Sequence, residues 1–87
     1  MDETTTQPVQ ESPWLIYGDG SGRSGVQAYR EGPDFIEVRF KDGSVYLYTN
    51  ESAGKSTIAY MKRVANYGHG LNGFINFHVK KKYARKG

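Results

Sequence analysis

Eighty-seven residues and 9.8 kDa suffice for one small domain and exclude a two-domain enzyme, because chains divide into separate cores only at much greater length. Apolar residues make up 37% of the chain, charged residues 24% and aromatic residues 14%, which supports a modest core and leaves little material to wall a deep catalytic cleft. The absence of cysteine excludes disulfides and thiolate metal sites; with no signal peptide and no apolar run of about 20 residues, the expected location is cytoplasmic, without membrane insertion.

The net charge of +3 is spread unevenly: residues 1–34 carry −4, residues 35–50 balance to zero, residues 51–69 carry +2 and residues 70–87 carry +5. A basic end on an aromatic-rich chain suits a polyphosphate partner, and equally suits a solvated terminal helix.

In chain order, residues 1–13 read as a disordered tail, with three consecutive threonines and no aromatic to offset the entropy of ordering. Residues 14–25 read as an aromatic anchor and a glycine-rich arm. Trp14 and Ile16 are expected to dock on the domain, and four glycines between Gly18 and Gly25 forbid regular structure. Val26 to Arg30 predicts a strand ended by Glu31-Gly32-Pro33-Asp34.

Phe35–Lys41 and Ser44–Asn50 alternate around Asp42-Gly43, the favoured dipeptide of a two-residue hairpin turn. That turn would set Phe40 opposite Val45, Val38 opposite Leu47 and Glu37 opposite Tyr48. Ile36, Val38, Phe40, Val45 and Leu47 would then face the helices. Phe35, Glu37, Arg39, Lys41, Tyr46 and Tyr48 would form the opposite face, joined by Tyr29 if Val26 and Ala28 point inward.

Lys55 to Tyr67 places Ile58, Met61, Val64 and Ala65 at helical spacing, and Gly68-His69-Gly70 stops that helix. Leu71, Phe74, Ile75 and Val79 predict a second helix from Leu71 to about Tyr83, leaving residues 84–87 as a basic tail. The expected architecture is α+β: a three-stranded antiparallel sheet followed by two helices packed on one face, within residues 26–83.

Ala53-Gly54-Lys55-Ser56-Thr57 sits where a phosphate-binding loop would, between a strand and a helix, but position 49 is threonine where the pattern needs glycine. A helix start capped by Ser52 or Ser56 accounts for it better. His69 and His78 lie nine residues apart without a third ligand at suitable spacing, so neither metal binding nor catalysis is expected of them; no cofactor is implied.

Tyr29, Tyr46 and Tyr48 with Arg39 and Lys41 form the most specific constellation. Phenol rings beside cations suit single-stranded nucleic acid, each stacked base contributing about 1–3 kcal/mol, whereas the same pairs also serve as ordinary cross-strand packing. Lys80, Lys81, Lys82, Arg85 and Lys86 would add phosphate contacts from a basic C-terminal helix.

Ser24 to Tyr29, Ile36 to Tyr48, Met61-Lys62, Leu71-Asn72-Gly73-Phe74-Ile75-Asn76 and Tyr83 together resemble the KTSC domain, named for the C-terminus of some lysyl-tRNA synthetases and found also as small bacterial and phage proteins. The resemblance covers about Val26 to Tyr83. It implies an α+β fold and, through the synthetase fusion, nucleic-acid binding, with no catalytic residues. The expected function is therefore non-enzymatic binding of RNA or single-stranded DNA, the alternative being a protein-interaction module. Asn72 and Asn76, one helical turn apart, would share a face able to hydrogen-bond a partner or to cap the hairpin.

Overall fold

The computed structural model describes residues 13–18 and 25–87. Of the tail expected over residues 1–13 and the anchor and arm expected over residues 14–25, residues 1–12 and 19–24 lie outside the described residues. The fold is α+β, and the antiparallel sheet has five strands in sequential order: β1 (Leu15–Ile16), β2 (Val26–Gly32), β3 (Phe35–Phe40), β4 (Val45–Thr49) and β5 (Arg85–Lys86). The expected three strands are the middle of this sheet. The aromatic anchor and the basic tail each add a two-residue edge strand, β1 beside β2 and β5 beside β4.

The β3–β4 hairpin forms where Asp42-Gly43 predicts it, but one residue out of the expected register. Arg39 opposes Val45, Val38 opposes Tyr46 and Ile36 opposes Tyr48. The loop is three residues long. Phe40 N–H donates to the Ser44 carbonyl at 2.8 Å and Gly43 N–H to the Phe40 carbonyl at 2.9 Å, with Gly43 at φ +93°. This is the turn plus left-handed glycine of a bulged hairpin, and the Asp42 carboxylate fixes it by accepting from the Ser44 N–H and hydroxyl at 2.9 and 2.7 Å. Since side chains alternate, the shift exchanges the faces of β4. Tyr46 and Tyr48 turn toward the helices, and Val45 and Leu47 turn away with Glu37 and Arg39.

A second parity change occurs in β2. Val26 opposes Phe40 and Ala28 opposes Arg39, so Gln27 is the extra residue of a bulge. Val26 stays on the helix side while Ala28 crosses to the outer face, and Tyr29 comes inward opposite Val38. The expected placement of Tyr29 on the outer face is thereby corrected.

The helices are α1 (Asn50–Ala53), α2 (Lys55–Tyr67) and α3 (Leu71–Phe74), the last running on as a π-helical segment, Ile75–Val79. Thr49 caps α1 reciprocally with Ser52: each residue's backbone N–H reaches the other's hydroxyl at 3.0 Å. The cap expected of Ser52 or Ser56 at the start of α2 is not made: Gly54 holds that position without a side-chain hydrogen bond, and Ser52 serves α1 instead. Helix α2 buries Ile58, Met61, Val64 and Ala65, the positions its spacing predicts. It ends at Gly68 (φ +86°), whose absent side chain leaves room for the backbone of Gly18: a Cβ there would stand 3.1 Å from the Gly18 carbonyl oxygen.

The helix expected to reach Tyr83 stops at Val79. Lys82 N–H turns back to the Val79 carbonyl, and Ala84 N–H donates to the Leu47 carbonyl at 2.6 Å, which delivers Arg85 and Lys86 to the edge of β4.

Ile36, Val38, Tyr48, Ile58, Met61 and Leu71 form the most enclosed part of the core, between the sheet and α2–α3. Polar links tie the layers. The Tyr29 hydroxyl donates to Asn66 Oδ1 at 3.0 Å, and the same amide donates to Glu31 at 3.0 Å. Lys62 donates to the carbonyls of Gly32 and Pro33 in the β2–β3 turn. Of the anchor expected at Trp14 and Ile16, Trp14 docks against Arg30 and Arg39 on the outer face but Ile16 does not dock, and Tyr17 is the residue that enters the core. Its buried hydroxyl accepts from the Leu71 N–H at 3.0 Å, satisfying a donor at the start of α3, whereas Ile16 remains 79% exposed.

Candidate nucleic-acid interface

The register places the expected site residues in three different environments. Tyr29 and Tyr48 belong to the core, at 5% and 0% exposure, so they offer no stacking surface. Arg39 and Arg85 lie on the outer face. Lys41, Tyr46, Lys80 and Lys86 gather on the helix side, with Lys81 and Lys82 exposed in the turn that follows the π-helical segment. The tyrosine-and-arginine sheet face predicted from a two-residue turn therefore does not exist; the slip at the hairpin removes Tyr46 and Tyr48 from it, and the β2 bulge removes Tyr29.

A cleft of about 330 Å³ opens on the helix side between the hairpin end and α3 with its π-helical continuation. Phe40, Tyr46 and Ile75 supply its apolar walls, and Asn72, Asn76 and Lys80 line it at four-residue intervals along one side of the helical segment. Gly25 closes the end. A Cβ at that position would come 3.3 Å from Asn72 Oδ1, so a side chain there would press on the amide. π-Helical turns recur at functional sites because they displace side chains from the ordinary helical stripe.

Tyr46 is the centre of an aromatic cluster. Phe40 and Tyr83 meet it edge-on at 5.4 and 5.1 Å, Tyr48 lies nearly parallel at 6.4 Å, and the Lys86 ammonium stands 5.3 Å from its ring centroid. A hydrogen bond with the Tyr46 phenol, followed by that phenol's electrostatic attraction, holds Lys86 above the ordinary lysine range and keeps it cationic. Burial, then the neighbouring phenols of Tyr46 and Tyr83, raises Tyr48 well above the ordinary phenol range. Its hydroxyl is buried with no hydrogen-bond partner among the described residues. An unpaired buried hydroxyl costs about 1–3 kcal/mol.

Lys41 and Lys80 are the cations lining the cleft, and Asp42 is the acid. Ser44 occupies that acid from its hydroxyl and its N–H, which lowers the Asp42 carboxyl below its ordinary value.

A second cleft of about 340 Å³ lies on the outer face, and no residue of the described helices α2 and α3 lines it. Here the charges are matched. Arg30 and Glu37 pair at 2.6 Å, Asp34 and Arg85 both line the cleft, and on the same face the Trp14 ring lies against the guanidiniums of Arg30 and Arg39 at 4.4 and 4.2 Å. Trp14 thus occupies the cation that was expected to serve a ligand.

His69 and His78 are exposed, and each is accounted for by an aromatic neighbour, Tyr67 and Phe74 respectively. Among the described residues, no three His, Asp or Glu side chains cluster to hold a metal ion. Sequence reasoning placed Asn72 and Asn76 on one face but not in a site; the interval Asn72, Asn76, Lys80 was the signal that a polar stripe borders the apolar Leu71, Ile75, Val79 stripe. Phe40 was expected on the helix side, but Ser44 and Tyr46 enter the cleft only through the bulged loop, which alternation alone does not reveal.

Comparison with protein-family models, with curated proteins and with solved structures finds no match to this chain, so the resemblance to the KTSC domain rests on the residues that suggested it.

Proposed function

We propose that this chain is a small, non-enzymatic, KTSC-like module that binds RNA or single-stranded DNA along its lysine-rich end, across the mouth of the helix-side cleft. The observation that carries the reading is the cleft's lining: lysines at Lys41 and Lys80, amides at Asn72 and Asn76, and an aromatic wall at Tyr46 flanked by Lys86, against one acid already engaged by Ser44. Cations beside aromatic and amide groups are the chemistry that single strands use, phosphate against ammonium and base against ring or amide. Binding measured with oligonucleotides across a salt series should weaken as salt rises, log K falling by about 0.7 per phosphate contact for each unit of log salt. Lys80→Ala and Lys86→Ala should each flatten that slope. Affinity that is independent of salt, or absent at tens of micromolar by the usual scale of nonspecific binding, defeats the reading.

The second reading, a protein-docking module, is favoured by the outer face, where Phe35, Val45 and Leu47 are partly exposed beside Trp14 with no described helix lining the cleft there. A partner held on that face survives nuclease and the loss of Lys80, and perturbs the fluorescence of Trp14; a strand bound at the helix-side cleft leaves Trp14 unchanged. No described helix is long and apolar enough to cross a membrane.

A further inference from the structure

We propose that the helix-side cleft seats one unstacked nucleobase, with Asn72 and Asn76 reading its edge, the Tyr48 hydroxyl meeting it at depth, and Lys80 holding the adjoining phosphate. This deepens the reading above and rests on it. At about 330 Å³ the cleft is at the small end of ligand sites, which span roughly 300–1,000 Å³, so it suits a single planar ring system rather than a longer segment. Its walls are apolar at Phe40, Tyr46 and Ile75, as the faces of a base require.

The polar groups are placed for an edge. Each asparagine amide carries a donor side and an acceptor side, and bases present adjacent donors and acceptors on their edges. Two such amides four residues apart border one opening, and a glycine keeps the backbone clear of Asn72. The Tyr48 hydroxyl is the independent observation. It is fully buried, belongs to a residue lining this cleft, and has no partner among the described residues. Native structures rarely leave a buried hydroxyl unpaired, and a ligand group that pairs it recovers the missing bond on binding. Tyrosine there thus discriminates for a polar planar ligand, where phenylalanine would fill the core equally well.

The test uses amide-resolved NMR of the intact chain titrated with each nucleoside monophosphate, with ribose 5-phosphate and with inorganic phosphate. Binding is then measured for an oligonucleotide with and without a single abasic position. Nucleotides should shift the side-chain amides of Asn72 and Asn76 and the backbone amide of Ser44, whereas the two base-free probes should move only resonances near Lys80. Asn76→Ala, an exposed change that leaves the core intact, should weaken nucleotide binding about tenfold. Tyr48→Phe should also weaken it severalfold while raising the thermal midpoint of the free protein, an opposition that a purely structural hydroxyl would not produce.

Equal shifts from ribose 5-phosphate, or an abasic strand bound as tightly as the intact one, overturn the base site while leaving salt-dependent strand binding in place. Nucleotides that bind with these shifts when oligonucleotides do not would uphold the pocket and remove the wider reading instead.

Discussion

The two faces of the sheet draw on much the same residue types, yet one is dry and one is wet. On the helix side Tyr29, Val38, Tyr46 and Lys86 stand in one cross-strand row; on the outer side the neighbouring row is Arg30, Glu37, Leu47 and Arg85. Aromatic and aliphatic side chains occur on both. What separates them is the geometry of two irregularities, the Gln27 bulge and the three-residue hairpin loop, each of which reverses parity for the residues beyond it. Hydrophobicity in β4 is nearly symmetric, Val45 and Leu47 against Tyr46 and Tyr48, so the loop decides which pair becomes core.

The sharpest way to break this comparison is to truncate adjacent residues of β4. Tyr48→Ala should cost about 3–5 kcal/mol, much of the stability of so small a domain, whereas Leu47→Ala should cost only about 1 kcal/mol. Chemical denaturation measures both; a larger loss at Leu47 would restore the two-residue turn and reverse the faces. Next in size is Gly68→Ala, expected to cost about 2 kcal/mol, because the new side chain meets both a left-handed backbone and the Gly18 carbonyl. The same mutation at Gly73, where an added Cβ meets nothing within 4 Å, should be neutral or mildly stabilising by thermal melting.

Asn66→Ala tests the polar ties of the helix side. It removes the partners of Tyr29 and Glu31 together and should cost about 1–2 kcal/mol, with Tyr29→Phe recovering part of the loss in a double-mutant cycle.

The smallest effects are those of pH. Tyr29 and Tyr48 have phenols raised above their ordinary value of about 10 by burial, so the stability they confer is complete below that value and is lost as pH rises through the folded-state values. Phenolate absorbance should therefore show these two rings ionising only with alkaline unfolding. Asp42 works in the opposite direction. Its depressed carboxyl stabilises the loop above the ordinary aspartate range and loses that effect as pH falls through its folded-state value; Asp42→Asn should abolish the acid step in a pH series of melts.

Much of the fold was legible because its signals are local. The spacing of Ile58, Met61, Val64 and Ala65 identified α2 and its buried face, and Asp42-Gly43 identified the hairpin. The α+β class followed from strands preceding helices. Parity was not legible, because Asp-Gly serves a two-residue turn and a bulged three-residue turn alike, and only the pairing of Phe40 with Ser44 distinguishes them. The edge strands were hidden for a different reason. Leu15–Ile16 and Arg85–Lys86 are too short to show alternation, and they form because β2 and β4 offer unpaired backbone groups. Of the site, the lysines and paired asparagines were visible as residue types. Their meeting with Tyr46 depends on the hairpin slip and on the π-helical continuation of α3, which leave no periodic trace.

The two rims of the sheet have unequal consequences for contact between copies. Where β5 closes one side, Arg85 and Lys86 bring positive charge to the outermost ladder, and a second chain approaching there would bring the same charge against it. Among the described residues the opposite rim carries no such charge: Leu15 and Ile16 present an exposed aliphatic pair behind Pro13. Strand addition would therefore favour that side, where the outermost strand among the described residues offers a template only two residues long.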